Sequence, residues 1–370
     1  MQKFTCALIS VLSATLLLAA MDQTFIGGLK FNRYYDHLDL RQMDRNSWYH
    51  RLLIRSDKWR YGDLYGLCYL PEYKFKLEPF KKYPKASGKS VTNRVLYVIG
   101  DSFLADKTLN GAFDGFDDVK FLDRRFPFGP IVLDSTKQNY LVMEFGEWGL
   151  VGYNIDKTFQ TMWSKGYLKV KVNFNTTAAR KPTVYNLPNT FWDRLNNTLF
   201  NKNLSRNLET LLFDDKLFTP AKELKAELNY KLFDRVDKGV AVSTDKKRLL
   251  VNSTVDTTSI LSDFRNISDK EIGTLINNLD AANHYYRSIG FKKVILTIVP
   301  NAVSVYDQHR LPYNRLLERV ERDNRFTVVD VYKQFKDAPV NLYYRSDTHW
   351  NPEGLDLWVK AMNKSMESWW

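Results

Sequence analysis

Metal and disulfide chemistry find little support in this sequence. Its 370 residues include only two cysteines, Cys6 and Cys68, and the five histidines form no HxxxH or HxH pair. Zinc sites draw several such ligands from closely spaced positions. Cys6 lies in the apolar N-terminus, so the rest of the chain carries a single thiol. The sequence therefore predicts no metal site, no cofactor and no internal disulfide.

Basic residues outnumber acidic ones, but they are not concentrated. The formal net charge is +12, yet the densest basic group, Lys246 to Arg248, is only a short run. No nucleic-acid-binding motif accompanies the charge, so the sequence predicts a solvated basic surface and no nucleic-acid partner. A surface of this sign favours acidic partners such as anionic glycans or lipid headgroups.

Long apolar runs are absent apart from Phe4–Met21, which follows a single lysine, Lys3. Such a run at the N-terminus is typical of a signal sequence or a short membrane anchor. A buried N-terminal helix of a cytosolic protein is the alternative. The run ends in Leu18-Ala19-Ala20, which has the small final residue of a cleavage site but a bulky leucine two positions earlier. We therefore expect export, with cleavage left open.

From residue 91 onward the pattern predicts alternating strands and helices. Apolar runs predict buried strands at Arg94–Ile99, Val119–Leu122, Asn139–Phe145, Val294–Val299 and Phe326–Val331. Helices are predicted directly after the first strand and at Ile272–Ile289, Tyr313–Arg322 and Pro352–Trp369. Short links between strands and helices are typical of a doubly wound, mainly parallel sheet. The predicted fold class is therefore α/β, with a largely helical insertion.

Changes of pattern divide the chain into five predicted segments. These are the signal sequence or anchor (1–21), an N-terminal extension (22–90), the first part of the core (91–170), the insertion (171–284) and the second part of the core (285–370). The extension ends in a turn-rich linker at Lys81–Ser90. The insertion is predicted to hold helices at Phe191–Phe213 and Pro220–Val236, followed by a hairpin around Thr244–Arg248.

Two polar segments that follow predicted strands offer catalytic side chains. Ser102 stands in Gly-Asp-Ser-Phe directly after the first strand, and His349 lies two residues after Asp347 in Asp-Thr-His-Trp. Carboxyl ends of parallel strands meet at one edge of a sheet, so the segments could form a Ser-His-Asp site. Taken singly, Ser102 also suits a helix N-cap, and the other segment suits the polar start of a helix at Pro352. Their joint presence favours catalysis.

Four further residues are weaker candidates for contacts with a substrate. Asn301 follows the Val294–Val299 strand and suits either the binding of substrate or oxyanion, or a plain turn after a proline. Trp350 could form a wall of the substrate pocket, although packing in the core is the favoured interpretation. Tyr306 and Arg345 are the remaining two.

The two motifs resemble those of a known superfamily. Gly-Asp-Ser-Phe after the first strand is similar to the first block of SGNH hydrolases, and Asp-Thr-His-Trp resembles a block of their alginate O-acetyltransferase-like branch. The similarity extends over residues 91–160 and 285–365. It implies an SGNH or flavodoxin-like sheet, with Ser102 as the nucleophile, His349 as the general base and Asp347 as the acid that orients the imidazole.

Two features depart from the pattern of that superfamily. The serine block precedes the Asp-His block, as in ordinary SGNH hydrolases, whereas alginate acetyltransferases carry the two in the opposite order. The blocks that donate hydrogen bonds to the oxyanion in that superfamily cannot be identified in this sequence. The predicted turn after the third strand instead consists of residues Glu144 to Trp148. The oxyanion would then depend on the backbone N–H of Ser102 and a second, unassigned donor.

The resemblance implies an exported, serine-dependent O-acetyltransferase or acetylesterase that acts on a cell-envelope or extracellular polysaccharide through an acyl-serine intermediate. No residue decides between transfer to a sugar hydroxyl and hydrolysis. Transfer implies a membrane-bound acyl-donor protein as a partner, and the family points to a bacterial periplasm, released or anchored to the inner membrane. The alternative is an inactive glycan-binding or assembly protein of the same fold. A lipase has less support because no apolar lid stands out.

Overall fold

The computed structural model describes residues 2–34, 55–84, 92–105, 107–125, 131–154 and 191–369. The chain forms two compact units, one from Met1–Lys76 and Asn175–Asp237 and the other from Leu77–Phe174 and Lys238–Trp370. We call them the N-terminal unit and the sheet unit. The predicted N-terminal extension and the helices of the predicted insertion thus contribute to one unit. Residues 85–90 of the predicted linker and 171–190 of the predicted insertion lie outside the described residues.

The α-helices among the described residues are numbered in chain order. They are α1 (Gln2–Met21), α2 (Gln23–Tyr34), α3 (Tyr65–Cys68), α4 (Glu147–Leu150), α5 (Phe191–Leu199), α6 (Leu204–Phe213), α7 (Thr219–Phe233), α8 (Asn252–Val255), α9 (Asp269–Ser288), α10 (Ala302–Tyr306), α11 (Leu316–Glu321), α12 (Tyr332–Lys336) and α13 (Pro352–Met366). Short 3-10 turns follow at Pro71–Tyr73 and Glu367–Trp369.

Among the described residues, seven strands form two sheets. They are β1 (Arg94–Gly100), β2 (Asp118–Asp123), β3 (Gln138–Gly146), β4 (Val240–Val242), β5 (Leu249–Val251), β6 (Lys293–Val299) and β7 (Thr327–Val329). Five of them pair in parallel in the order β2-β1-β3-β6-β7, whereas β4 and β5 form an antiparallel hairpin. The parallel sheet with flanking helices confirms the predicted α/β class, and the hairpin confirms the predicted turn in the middle of the chain.

Alternate side chains of β1 enter two different apolar cores. Val95, Tyr97 and Ile99 pack on one face of the sheet together with residues of α9 and α11. Leu96 and Val98 pack on the other face with residues of α13. Because both faces are covered, every position after the first residue of β1, β3 and β6 is buried, which explains why these strands are mostly apolar rather than alternating.

Local capping signals set the boundaries of the two longest helices of the sheet unit. The Ser268 side chain accepts a hydrogen bond from the backbone of Glu271, and the Glu271 side chain accepts one from the backbone of Ser268, which forms a capping box at the start of α9. Gly290 follows this helix with a φ of 115°, a conformation that favours glycine. At α13, Asn351 accepts a hydrogen bond from the Gly354 N–H.

The chain after β1 differs from the prediction. Residues 102–105 form a turn instead of the start of a helix. The Asp101 carboxylate accepts a hydrogen bond from the Phe103 N–H at 3.0 Å, and the Asp101 carbonyl accepts one from the Ala105 N–H at 3.0 Å. An aspartate that bonds to the backbone two residues on competes with a helix for the same groups. The turn thus keeps Ser102 half-buried at the carboxyl edge of the sheet.

The N-terminal unit begins with a helix that is long and apolar enough to cross a membrane. Over the described residues α1 is the one helix that meets this condition, with a mean hydropathy of 2.2 in its most apolar window. Length and composition alone make it compatible with a signal sequence or a membrane anchor, as predicted.

Candidate active site

The serine block lies where the turn leaves β1. Gly100 precedes it, and a methyl group on Gly100 would come within 2.7 Å of a carboxylate oxygen of Glu144. A side chain at position 100 would therefore require the Glu144 side chain to move, and Leu104 and Phe121 also lie only 3.1 Å from that position. The backbone of the serine block also contacts the end of β3, because the Asp101 N–H donates a hydrogen bond to Glu144 Oε2 at 2.9 Å.

Asp347 and His349 form a direct pair. The Nδ1 atom of His349 lies 2.6 Å from Asp347 Oδ1, and the same oxygen accepts a hydrogen bond from the His349 backbone N–H at 2.9 Å. The side chains are 12% and 26% exposed. A carboxylate in this position holds the imidazole in one orientation and favours a proton on Nδ1. The structure thus brings together two of the three predicted catalytic residues.

Phe103 links the histidine block to the serine block. Its ring centroid lies 5.1 Å from that of His349 and 5.2 Å from that of Trp350. The Trp350 indole N–H donates a hydrogen bond to the Phe103 carbonyl at 3.1 Å, although the two residues are 247 positions apart in sequence. The residue next to Ser102 is therefore fixed against the histidine block. No hydrogen bond joins the described side chains of Ser102 and His349 themselves.

A buried carboxyl group lies beneath the serine block. Glu144 is 0% exposed, and the guanidinium of Arg124 donates a hydrogen bond to its backbone carbonyl and lies 3.8 Å from its carboxylate. Burial raises the pKa of Glu144 to about 8, and the charge of Asp101 adds to this effect, whereas Arg124, the Asp101 N–H and His349 oppose it. Arg124 also lies 3.3 Å from the Asp101 carboxylate.

Sequence reasoning did not identify Glu144 or Arg124. The available signal was a glutamate inside the otherwise apolar run Tyr140–Phe145, since an acidic residue in a strand covered on both faces requires a partner. The Oε1 atom of Glu144 has no hydrogen-bond partner among the described residues. With the raised pKa, a protonated carboxyl is the favoured form around neutral pH.

Asn301 belongs to a second buried cluster. Its side-chain amide donates to both oxygens of Asp263, at 2.9 and 3.2 Å, and its backbone N–H donates to Glu147 at 2.8 Å. Ser304 donates to Glu147 and lies 3.1 Å from Asp263. Burial raises the pKa of both acids, to about 7 for Glu147. The Asn301 amide therefore donates its hydrogen bonds to a buried carboxylate, and among the described residues no hydrogen bond joins it to Ser102.

The remaining candidates have structural contacts. Trp350 is 0% exposed and packs in the apolar core of one sheet face, in keeping with the favoured interpretation. The Tyr306 hydroxyl accepts a hydrogen bond from the Leu342 N–H at 2.8 Å, and its ring faces the Arg248 guanidinium at 3.5 Å. The carbonyl of Arg345 accepts a hydrogen bond from the β5 backbone.

Comparison with known proteins gives no match for this chain among family models, curated proteins or solved structures. The resemblance to SGNH hydrolases therefore rests on the two motifs alone and stays a prediction. The fold and the pairing of Asp347 with His349 are independent of that resemblance, because the structure shows both directly.

Proposed function

We propose that this chain is a serine-dependent O-acetyltransferase or acetylesterase. One observation carries the proposal: His349, held by Asp347, packs against Phe103, the residue that follows Ser102. A histidine held by a carboxylate beside a serine at the end of a parallel strand is the arrangement that activates a serine hydroxyl.

The reaction would proceed in two halves. Ser102 Oγ attacks the carbonyl carbon of the acetyl donor while His349 Nε2 takes the hydroxyl proton, and Asp347 stabilises the imidazolium that results. Collapse of the tetrahedral intermediate breaks the bond to the leaving group, which receives that proton, and leaves acetyl-Ser102. A sugar hydroxyl or water then gives its proton to His349 and attacks the acetyl carbon, and His349 returns that proton to Ser102 Oγ as the ester bond breaks, which restores Ser102. The proposed oxyanion donor is the Ser102 backbone N–H.

The strand order supports the finer fold assignment. Counted along the parallel sheet alone, the order is 2-1-3-4-5, with the reversal between β1 and β3. This is the order of flavodoxin-like folds, which bind ligands at the carboxyl ends of the strands beside the reversal. Ser102 follows the end of β1 and Glu144 lies near the end of β3, so the two residues flank the point where the strand order reverses.

The proposed setting follows from α1 and from the motifs. A spanning helix at the N-terminus would deliver the rest of the chain outside the cytoplasm, and the motif resemblance suggests a bacterial periplasm. We propose a cell-envelope or extracellular polysaccharide as the acceptor and a membrane-bound acyl-donor protein as the source of acetyl groups.

A second candidate is an inactive glycan-binding or assembly protein of the same fold. The observation that favours it is the lack of a hydrogen bond between the side chains of Ser102 and His349. Catalytic hydrogen bonds are often absent before substrate binds, so this geometry does not exclude the enzyme.

Incubation of the full chain with p-nitrophenyl acetate and with an acetylated polysaccharide separates the two functions. We expect release of acetate and an acetyl adduct on the peptide that contains Ser102, and we expect Ser102→Ala to abolish both. Ser288→Ala, at an exposed position near the end of α9, is the matched control and should retain activity. Equal activity in both variants would exclude Ser102 as the nucleophile.

A further inference from the structure

The end of α1 is part of the packing of the N-terminal unit. Ala20 is 0% exposed, and its carbonyl accepts a hydrogen bond from the side-chain amide of Asn207 in α6 at 3.0 Å. The Lys30 ammonium group of α2 donates to the same Asn207 side chain at 3.2 Å. Removal of α1 by cleavage after Ala20 would break this packing, so the contacts favour an anchor that is retained.

The rest of α1 has no comparable cover. Within its described residues only Ala20 is buried, and large apolar side chains such as Phe4, Val11 and Leu18 are exposed. A helix of 20 residues is about 30 Å long, which matches the hydrocarbon thickness of a bilayer. With α1 inserted, the Ala20–Asn207 contact would lie at the edge of the hydrocarbon region.

Helix α5 exposes an apolar face that the N-terminal unit does not cover. Phe191, Trp192, Leu199 and Phe200 are between 60% and 76% exposed, and the rings of Phe191 and Trp192 contact each other. At helical spacing Phe191, Trp192, Leu195 and Leu199 fall on one half of the helix, and Phe200 directly follows its last residue. Aromatic and leucine side chains on one face, with polar residues on the other, are typical of helices that lie in a membrane interface.

The exposed apolar face of α5 is linked by a short stretch of chain to Asn207, the residue that contacts the end of α1. Only residues 200–203 separate α5 from α6, and seven positions separate Phe200 from Asn207. Even fully extended, seven residues reach at most about 25 Å. Exposed Lys202 and Arg206 lie between them, and basic side chains of this kind attract anionic headgroups. The aromatic face and the proposed exit of α1 from the bilayer are therefore held in one region.

We propose that α1 is retained as a membrane anchor and that the aromatic face of α5 lies in the headgroup region of the same bilayer, with anionic lipid as its partner. Tryptophan concentrates at this depth because its ring is apolar while its indole N–H is polar, and phenylalanine and leucine are common on the apolar face of interfacial helices. The proposal does not depend on the enzymatic assignment.

Site-specific labelling of the full chain tests the proposal. Trp192→Cys is made in a Cys6→Ser background and carries an environment-sensitive fluorophore. Cys68 is buried and burial raises its pKa to about 11, so it reacts slowly with maleimides near neutral pH. The matched control is Ile260→Cys, at an exposed apolar position in the sheet unit. Both proteins are reconstituted in vesicles of phosphatidylcholine and phosphatidylglycerol, some of them with lipids brominated near the headgroup.

We expect a blue-shifted emission at position 192, quenching by the brominated lipid and protection from aqueous iodide, none of which should occur at position 260. Equal behaviour at the two positions would overturn the proposal. Protection from iodide without lipid quenching, lost when the protein is diluted in the membrane, would show a second copy of the chain on this face and would also overturn it. An intact mass that lacks α1 after expression in a secreting host would refute the retained anchor.

Discussion

The buried carboxyl group of Glu144 should make folding depend on pH in a way that one substitution removes. Its pKa is raised from 4.5 to about 8 by burial and by the charge of Asp101. Below pH 4.5, the pKa in the unfolded chain, the carboxyl is protonated in both folded and unfolded chains, and its titration does not change the free energy of unfolding. Between the two values only the unfolded chain loses the proton, so stability falls as pH rises. Each pH unit accounts for about 1.4 kcal/mol.

Glu144→Gln keeps the shape of the protonated side chain and cannot ionise. We expect the variant to match the wild-type protein near pH 5 and to exceed its stability by about 4 kcal/mol near pH 8. For a unit of this size that difference corresponds to about 10 °C in melting temperature. Other acids with raised pKa values, Glu147, Asp263 and Glu321, are present in both proteins, so the difference in stability between wild type and variant reports on Glu144 alone.

The assay is a series of thermal melts from about pH 5 to about pH 8, followed by tryptophan fluorescence. Glu353→Gln, which replaces an exposed carboxylate at the start of α13, is the matched control and should stay parallel to the wild-type protein. Parallel melting profiles for Glu144→Gln as well would refute the reasoning, because they would mean that the carboxyl is ionised at the same pH in folded and unfolded chains.

Three further predictions address the site and its packing. Asp347→Asn should reduce turnover by up to about 10⁴ with little loss of stability, since the pair is partly exposed. Asp280→Asn, which alters the exposed His284 pair on α9, should leave turnover unchanged; comparable losses in both would contradict the triad. Gly100→Ala should lower the melting temperature, because its methyl group would lie 2.7 Å from a buried carboxylate oxygen, and an unchanged melt would contradict this. Trp350→Phe leaves the Phe103 carbonyl without its donor and should cost about 1–3 kcal/mol in unfolding experiments.

The parts of the fold that depend on near neighbours could be predicted from the sequence. The strands are apolar runs, α9 begins with a capping box at Ser268 and Glu271, and the β4–β5 hairpin surrounds a polar turn. The Asp347–His349 pair is also local, since the bend that holds both residues suffices to bring a carboxylate to the Nδ1 atom two positions on. Short-range geometry of this kind is encoded within a few positions.

Only the tertiary structure decided the remaining features. The contact of Phe103 with His349 joins segments that are distant in sequence, and the two parts of the N-terminal unit are likewise far apart along the chain. The turn after β1 is also joined to the neighbouring strand β3, where the Asp101 N–H donates a hydrogen bond to Glu144. Burial within the packed fold raises the pKa of Glu144. The hydrogen bond from Asn301 to Asp263 likewise joins residues that are far apart in sequence. A side chain's desolvation and its distant partners are set by which elements pack together, and no local pattern of residues specifies them.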